Sequence, residues 1–205
     1  MKQLIRQNPV YFISLSILLI FGGAILVLSD KEFVTLWVNQ RYSRVSDIII
    51  LCTDNVGTVW FNVFVVAGLW LYKGWKTALQ GAVCFLMTVC VVAFFKHVLF
   101  PGELRPILYF EKDVLRLVEG VIQLETESIP SGHTAAAFAI AGMLSFTIRR
   151  KSIQWIFALL AATVGYGRIY LSQHFVSDVY IGMIIGVMVS TTSFLLMDKI
   201  FRTDG

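Results

Sequence analysis

The sequence predicts an all-α, polytopic membrane protein with six transmembrane helices and an interfacial helical segment between the first two. Three observations carry this: 57% hydrophobic against 15% charged residues, six apolar runs near bilayer-spanning length, and basic residues gathered in the connectors on one side of those runs. Such a composition departs from soluble globular chains toward one whose solvent is lipid. The 205 residues fit a single membrane-embedded domain over 1–205. The net charge of +4 is scattered through connectors and forms no stripe, so the expected partner surface is the bilayer and not nucleic acid.

About twenty apolar residues cross the hydrocarbon core as helix. The runs are Pro9 to Ser29, Val56 to Tyr72, Thr77 to Phe100, His133 to Ile148, Gln154 to Leu171 and Ser177 to Met197. The first follows Lys2 and Arg6, exceeds the usual signal-peptide core and has no small-residue cleavage site, so it reads as an uncleaved anchor. From Asp30 to Asn55, Phe33, Leu36, Trp37, Val45, Ile48 and Leu51 recur in helical rhythm among charges, as in an interfacial helix or hairpin. In the sixth run Gly182-x-x-x-Gly186 is a small-residue pattern suited to packing within the bundle. Trp37, Trp60, Trp70, Trp75 and Trp155 lie near run boundaries, where aromatic belts anchor. Cys52, Cys84 and Cys90 are odd in number and lack a Cys-x-x-Cys spacing, so neither a disulfide framework nor a zinc site is expected.

Six crossings put both termini on one side. With the termini, Lys73 to Lys76 and Arg149 to Lys151 inside, that side holds nine Lys/Arg and two acids, against eight and eleven elsewhere. The basic bias of short connectors therefore orients the termini to the cytoplasm. Lys96, Arg105, His133, Arg168, His174 and Asp178 then all converge on the outer face. Ionisable groups near membrane depth are expensive and are functional or paired more often than not, although helix-end Lys and Arg also snorkel to the interface.

The stretch Pro130-Ser131-Gly132-His133 stands where the fourth apolar run begins. N–H groups at a helix start lack intrahelical acceptors, and Ser131 and Gly132 let an anion approach closely; the same residues also suit an ordinary helix cap. His174 and Asp178 are four apart and share a face if helical, so the carboxylate can fix one ring tautomer and free the other nitrogen as a nucleophile. An exposed helical His/Asp pair is the plainer alternative. His133 can protonate a leaving oxygen, while Lys96, Arg105 and Arg168 can neutralise phosphoryl oxygens. Glu103, Glu111, Asp113, Glu119, Glu125 and Glu127 match no ligand-loop spacing and read as a solvated outer loop, so no metal is expected.

These segments resemble the three signatures of the type-2 phosphatidic acid phosphatase superfamily. Pro130-Ser131-Gly132-His133 matches the second in full. Arg168, His174 and Asp178 match the third, with Gly167 in place of the usual Ser. In the first, eight residues separate Lys96 from Arg105-Pro106 where the family has six, so the loop must bulge for both cations to reach one phosphate. The resemblance implies a metal-independent, cofactor-free phosphohydrolase. In it His174 attacks phosphorus, Asp178 orients His174, and His133 acts as general acid and base. Lys96, Arg105, Ser131, Gly132 and Arg168 bind the phosphate. The likeness is strongest to bacterial phosphatidylglycerophosphatase B-like members, which implies phosphatidylglycerol phosphate as substrate at the cytoplasmic membrane of a bacterium. Undecaprenyl pyrophosphate, an isoprenoid-lipid phosphate, is the runner-up, followed by a broad phosphatidic acid or diacylglycerol pyrophosphate phosphatase. A vanadate-dependent haloperoxidase and a non-catalytic phospholipid-binding or transport protein are the readings from other classes. Nothing in the sequence specifies an oligomeric state.

Overall fold

The computed structural model describes residues 1–111 and 113–203, which are helical with connecting turns and contain no strand. The chain opens with α1 (Lys2–Gln7) and α2 (Pro9–Leu28), the latter begun by a proline at its first position, where no N–H is required. The interfacial segment resolves into two helices, α3 (Lys31–Asn39) and α4 (Arg44–Asp54). Ser43 caps α4 by accepting the Ser46 N–H at 3.0 Å. A 3₁₀ turn over Asn55–Gly57 leads to α5 (Val59–Lys73), capped by Thr58 and stopped by Gly74 at φ +86°. The third run forms α6 (Trp75–Phe94), which continues as a π turn over Phe95–Leu99.

A short α7 (Pro106–Tyr109) lies in the long connector. Then come α8 (Gly132–Ile148), α9 (Lys151–Tyr170) and α10 (Val176–Thr203). Helix thus covers all six expected runs, with ends shifted by a few residues. By length and apolarity, however, three helical stretches among the described residues can cross a membrane unaided, Pro9–Leu28, Trp75–Leu99 and Val176–Phe201, or four if the pair 44–57 and 59–73, bent by 62°, counts as one. α8 has 17 residues, and α9 carries Gln154, Thr163 and Arg168 along an otherwise apolar length. The expected count of six exceeds what these criteria support.

α8 explains the architecture. It is apolar all round and buried along nearly its whole length, as a central helix must be. Its alanines allow α6, α9 and α10 to close around it. The Gly182-x-x-x-Gly186 pattern is used here: a Cβ at Gly182 would lie 2.6 Å from Ser131 O, and one at Gly186 would collide with Ala135 O and stand 2.8 Å from Phe138 Cβ. A methyl at either would force backbone apart, an overpacking that costs on the order of 1–3 kcal/mol. The basic connectors sit at the opposite end from this contact, where Lys76 Nζ lies 5.4 Å from the Phe201 ring near the end of α10.

Candidate active site

At the other end, the start of α8 is tied to the start of α10. Ser131 is fully buried and caps α8: its Oγ accepts from the Thr134 N–H at 3.4 Å and the Thr134 hydroxyl at 2.8 Å, which leaves its own hydrogen free to donate. The Ser131 N–H donates to Asp178 O at 3.0 Å. The following N–H groups belong to a first helical turn and have no intrahelical acceptor. Beside Gly132 an added Cβ would meet only Val92, at 3.5 Å, so a ligand has room at the backbone.

His174, 1% exposed, occupies the turn between α9 and α10. Its Nε2 lies 3.2 Å from Arg105 Nη1. A guanidinium can only donate, so Nε2 holds the lone pair and the ring proton is on Nδ1. Nδ1 faces Asp178 Oδ2 at 3.5 Å and has no closer partner. The carboxylate is itself fixed: Oδ2 accepts from the Ser128 hydroxyl at 2.5 Å and the Phe175 N–H at 2.9 Å, and Oδ1 from Ser177 at 3.0 Å. Burial, reinforced by the charges of Arg105 and Arg168, holds the His174 pKa well below the ordinary histidine value despite that carboxylate.

Arg105 is 3% exposed and strung between carbonyls, donating to Thr126 O at 2.8 Å, Gln173 O at 3.1 Å and Glu127 O at 3.4 Å. Burial, with the nearby Arg168 cation, lowers its pKa to about 10, so it stays charged at neutral pH. Arg168 ends α9; its Nη1 reaches both Asp54 carboxylate oxygens at 3.0 Å, and its Nη2 donates to Gln173 Oε1 at 3.2 Å. Its buried Nε has no acceptor. His133 Nε2 lies 3.9 Å from Asp54 Oδ2.

Lys96, at the π turn, lines a groove of about 520 Å³ together with Gly132, His133, Trp60, Phe85 and Val89. The lengthened first signature begins in this turn. A π turn carries an extra residue within a helix, here closed by the Phe100 N–H donating to Phe95 O at 2.8 Å, and Gly102 follows at φ +77°.

All eight expected site residues therefore stand at one end of the bundle. His174, Asp178 and Arg105 form one contact chain, joined by Gln173 to Arg168. Arg168 is joined by Asp54 to His133, while Lys96 and Gly132 meet His133 in the groove. Asp54, Ser128 and Gln173 were not expected. Gln173 was open to inference, since it adjoins His174 and precedes a helix start; Asp54 is 114 residues from its arginine and had no local signal. The missing Ser at 167 also has a physical reason: a Cβ there would lie 3.1 Å from Ile50 Cγ2, so α4 fills the space.

Comparison with known proteins places the chain among relatives. Residues 77–202 match the PAP2 superfamily profile. The "Lipid A 1-phosphatase" of Porphyromonas gingivalis is 36% identical over 77 residues, 37% of this chain and 17% of that protein. The "Undecaprenyl-diphosphatase BcrC" of Bacillus subtilis is 27% identical over 116 residues, 50% of this chain and 59% of that protein. The chain thus matches less than two thirds of the length of either relative. Among solved structures, LpxE of Aquifex aeolicus superposes with a TM-score of 0.70 at 25% identity, covering 78% of this chain and 92% of that one. A PAP2-type phosphatidylglycerolphosphate phosphatase from Bacillus subtilis has the same fold, with a TM-score of 0.66 at 22% identity over 92% of this chain and 96% of that one. The profile takes in every residue from Lys96 to Asp178 and more than half of the sequence, and the chain belongs to the PAP2 superfamily.

Proposed function

We propose that the chain is a membrane lipid phosphatase that hydrolyses phosphatidylglycerol phosphate to phosphatidylglycerol and phosphate, through a phosphohistidine and without a metal. One observation carries the reading: a buried His174 whose Nε2 lone pair faces the Arg105 cation, at the same end of the bundle as an apolar groove lined by Lys96 and His133. Such a groove suits a substrate whose tails remain in lipid, and Trp60, 82% exposed, stands at its rim.

Arg105 turns from Nε2 onto the phosphoryl oxygens, where Arg168, Lys96, Ser131 and the first N–H groups of α8 also bind. Nε2 then forms a bond to phosphorus as the ester P–O bond breaks, and His133 gives its proton to the departing oxygen. The phosphorylated ring is cationic, and Asp178 stabilises it across Nδ1–H. Water next attacks phosphorus, the P–N bond breaks, and His133 recovers a proton from that water. On this reading the site lies on the outer face of the cytoplasmic membrane and the basic connectors inside, as the charge bias of the connectors suggests.

Undecaprenyl pyrophosphate is a second reading, supported by the likeness to the Bacillus subtilis undecaprenyl-diphosphatase across half of this chain. Competitive turnover in detergent with EDTA, offering phosphatidylglycerol phosphate, phosphatidic acid, undecaprenyl pyrophosphate and lipid A, is expected to release phosphate fastest from the first. Faster release from another lipid reassigns the substrate, and no release from any leaves a binding protein. Arg150→Cys, in a background without Cys52 and Cys90, is expected to react with an impermeant maleimide only after permeabilisation. Labelling in intact cells would reverse the orientation.

A further inference from the structure

We infer that Asp54 is a positioning residue of this site, which keeps His133 aligned as the acid for the leaving group while holding the Arg168 fork. The inference rests on the phosphatase reading above and concerns a residue outside the segment matched to the family, which begins at residue 77.

Asp54 ends α4, and its carboxylate, about one-fifth exposed, stands between two partners of the proposed reaction. Arg168 Nη1 lies 3.0 Å from both of its oxygens, and His133 Nε2 lies 3.9 Å from Oδ2. His133 opens α8, and among the described residues Asp54 is the carboxylate beside its ring. A nitrogen that must deliver a proton at one atom needs such a fixed neighbour.

The backbone gives the same residue a fixed place. Three residues after Asp54, Gly57 packs against the α8 start so closely that a Cβ would lie 2.7 Å from His133 Cβ and 2.8 Å from its Cα and carbonyl oxygen. The 3₁₀ turn that carries the chain from Asp54 to Gly57 therefore rests directly on the backbone of His133. The distance between carboxylate and imidazole is set by this contact and not by long, mobile side chains. The buried Arg168 fork adds a second restraint, since Gln173 holds its other nitrogen.

The expected behaviour follows from what a general acid does. An alcohol leaving from a phospholipid needs a proton, whereas nitrophenolate leaves without one. Asp54→Asn keeps the shape and removes the charge. It should lower kcat for a short-chain phosphatidic acid by about 10²-fold, of the size general acids supply, and kcat for p-nitrophenyl phosphate by under about 5-fold, the shared part reporting Arg168. His133→Ala should give the same pattern, and adding Asp54→Asn to it should change the lipid rate little, because the two act as a unit.

Equal losses on both substrates, or full additivity with His133→Ala, would overturn the assignment. If Asp54→Asn does not fold, the same ratio is read from Asp54→Glu, which retains the charge but displaces it; an unchanged ratio there also overturns it. Wild-type protein that cleaves neither substrate would instead remove the phosphatase reading itself.

Discussion

His174→Ala is expected to reduce phosphate release by at least about 10⁴-fold, the scale seen when a nucleophile is removed from an assembled site. The size follows from how completely the ring is held. Its Nε2 has a single donor, Arg105, and its Nδ1 faces an Asp178 that receives three hydrogen bonds of its own. The other two imidazoles are otherwise placed: His133 serves the leaving oxygen, and His97, 3.4 Å from Glu127, is largely exposed. Acid-quenched turnover of substrate labelled at phosphorus should trap acid-labile, base-stable label on His174 in the wild type and none in the variant. Full activity of His174→Ala, or persistent absence of label before steady state, would end the phosphohistidine mechanism.

Arg105→Gln should lower kcat by about 10²–10³-fold, as loss of a preorganised donor to transition-state charge does, and should also change the pH dependence. His174 falls from an ordinary 6.5 to about 3, with burial the main cause and Arg105 and Arg168 adding to it. The nucleophile is thus unprotonated at neutral pH, and the acid limb of kcat/KM should lie near pH 3–4 rather than near 6.5. Removing the Arg105 charge removes one force against the imidazolium, so the limb should move to higher pH while burial prevents a full return.

The same depression has a consequence for folding. Between about 3 and 6.5 the unfolded chain binds a proton at His174 that the folded chain refuses. This contribution to stability is therefore complete above 6.5 and is lost as pH falls through that window. Thermal midpoints in detergent should decline more steeply with acidification in wild type than in His174→Ala. An equal slope would show that burial does not suppress protonation there.

The legible parts of the site are those that local spacing defines. His174 and Asp178 could be paired because four residues bring two side chains to one face at a helix start, and the turn at Ser131 could be placed because a helix start exposes N–H groups. Helix positions followed from apolar run length, with differences at the ends: Val59, after the Thr58 cap, rather than Val56 begins α5, Lys151 extends α9 by a turn, and α10 runs on past Met197 to Thr203. Asp54 and Ser128 were not legible. An acid among many and a serine before a proline acquire meaning only when α4 packs on α9 and the long connector closes over α10. The two residues inserted between Lys96 and Arg105 showed that a bulge was needed, but the π turn that carries Lys96 follows from backbone hydrogen bonding that composition does not reveal.

The glycine contact between α8 and α10 sets which part of the site is held by backbone. Because Gly182 lies against Ser131 O, and Ser131 N–H reaches Asp178 O, the span between the two histidines is a backbone dimension. The groove wall at Trp60 is exposed and takes no part in that contact. A change at that wall is therefore expected to alter access to the groove before it alters the spacing of the two helix starts.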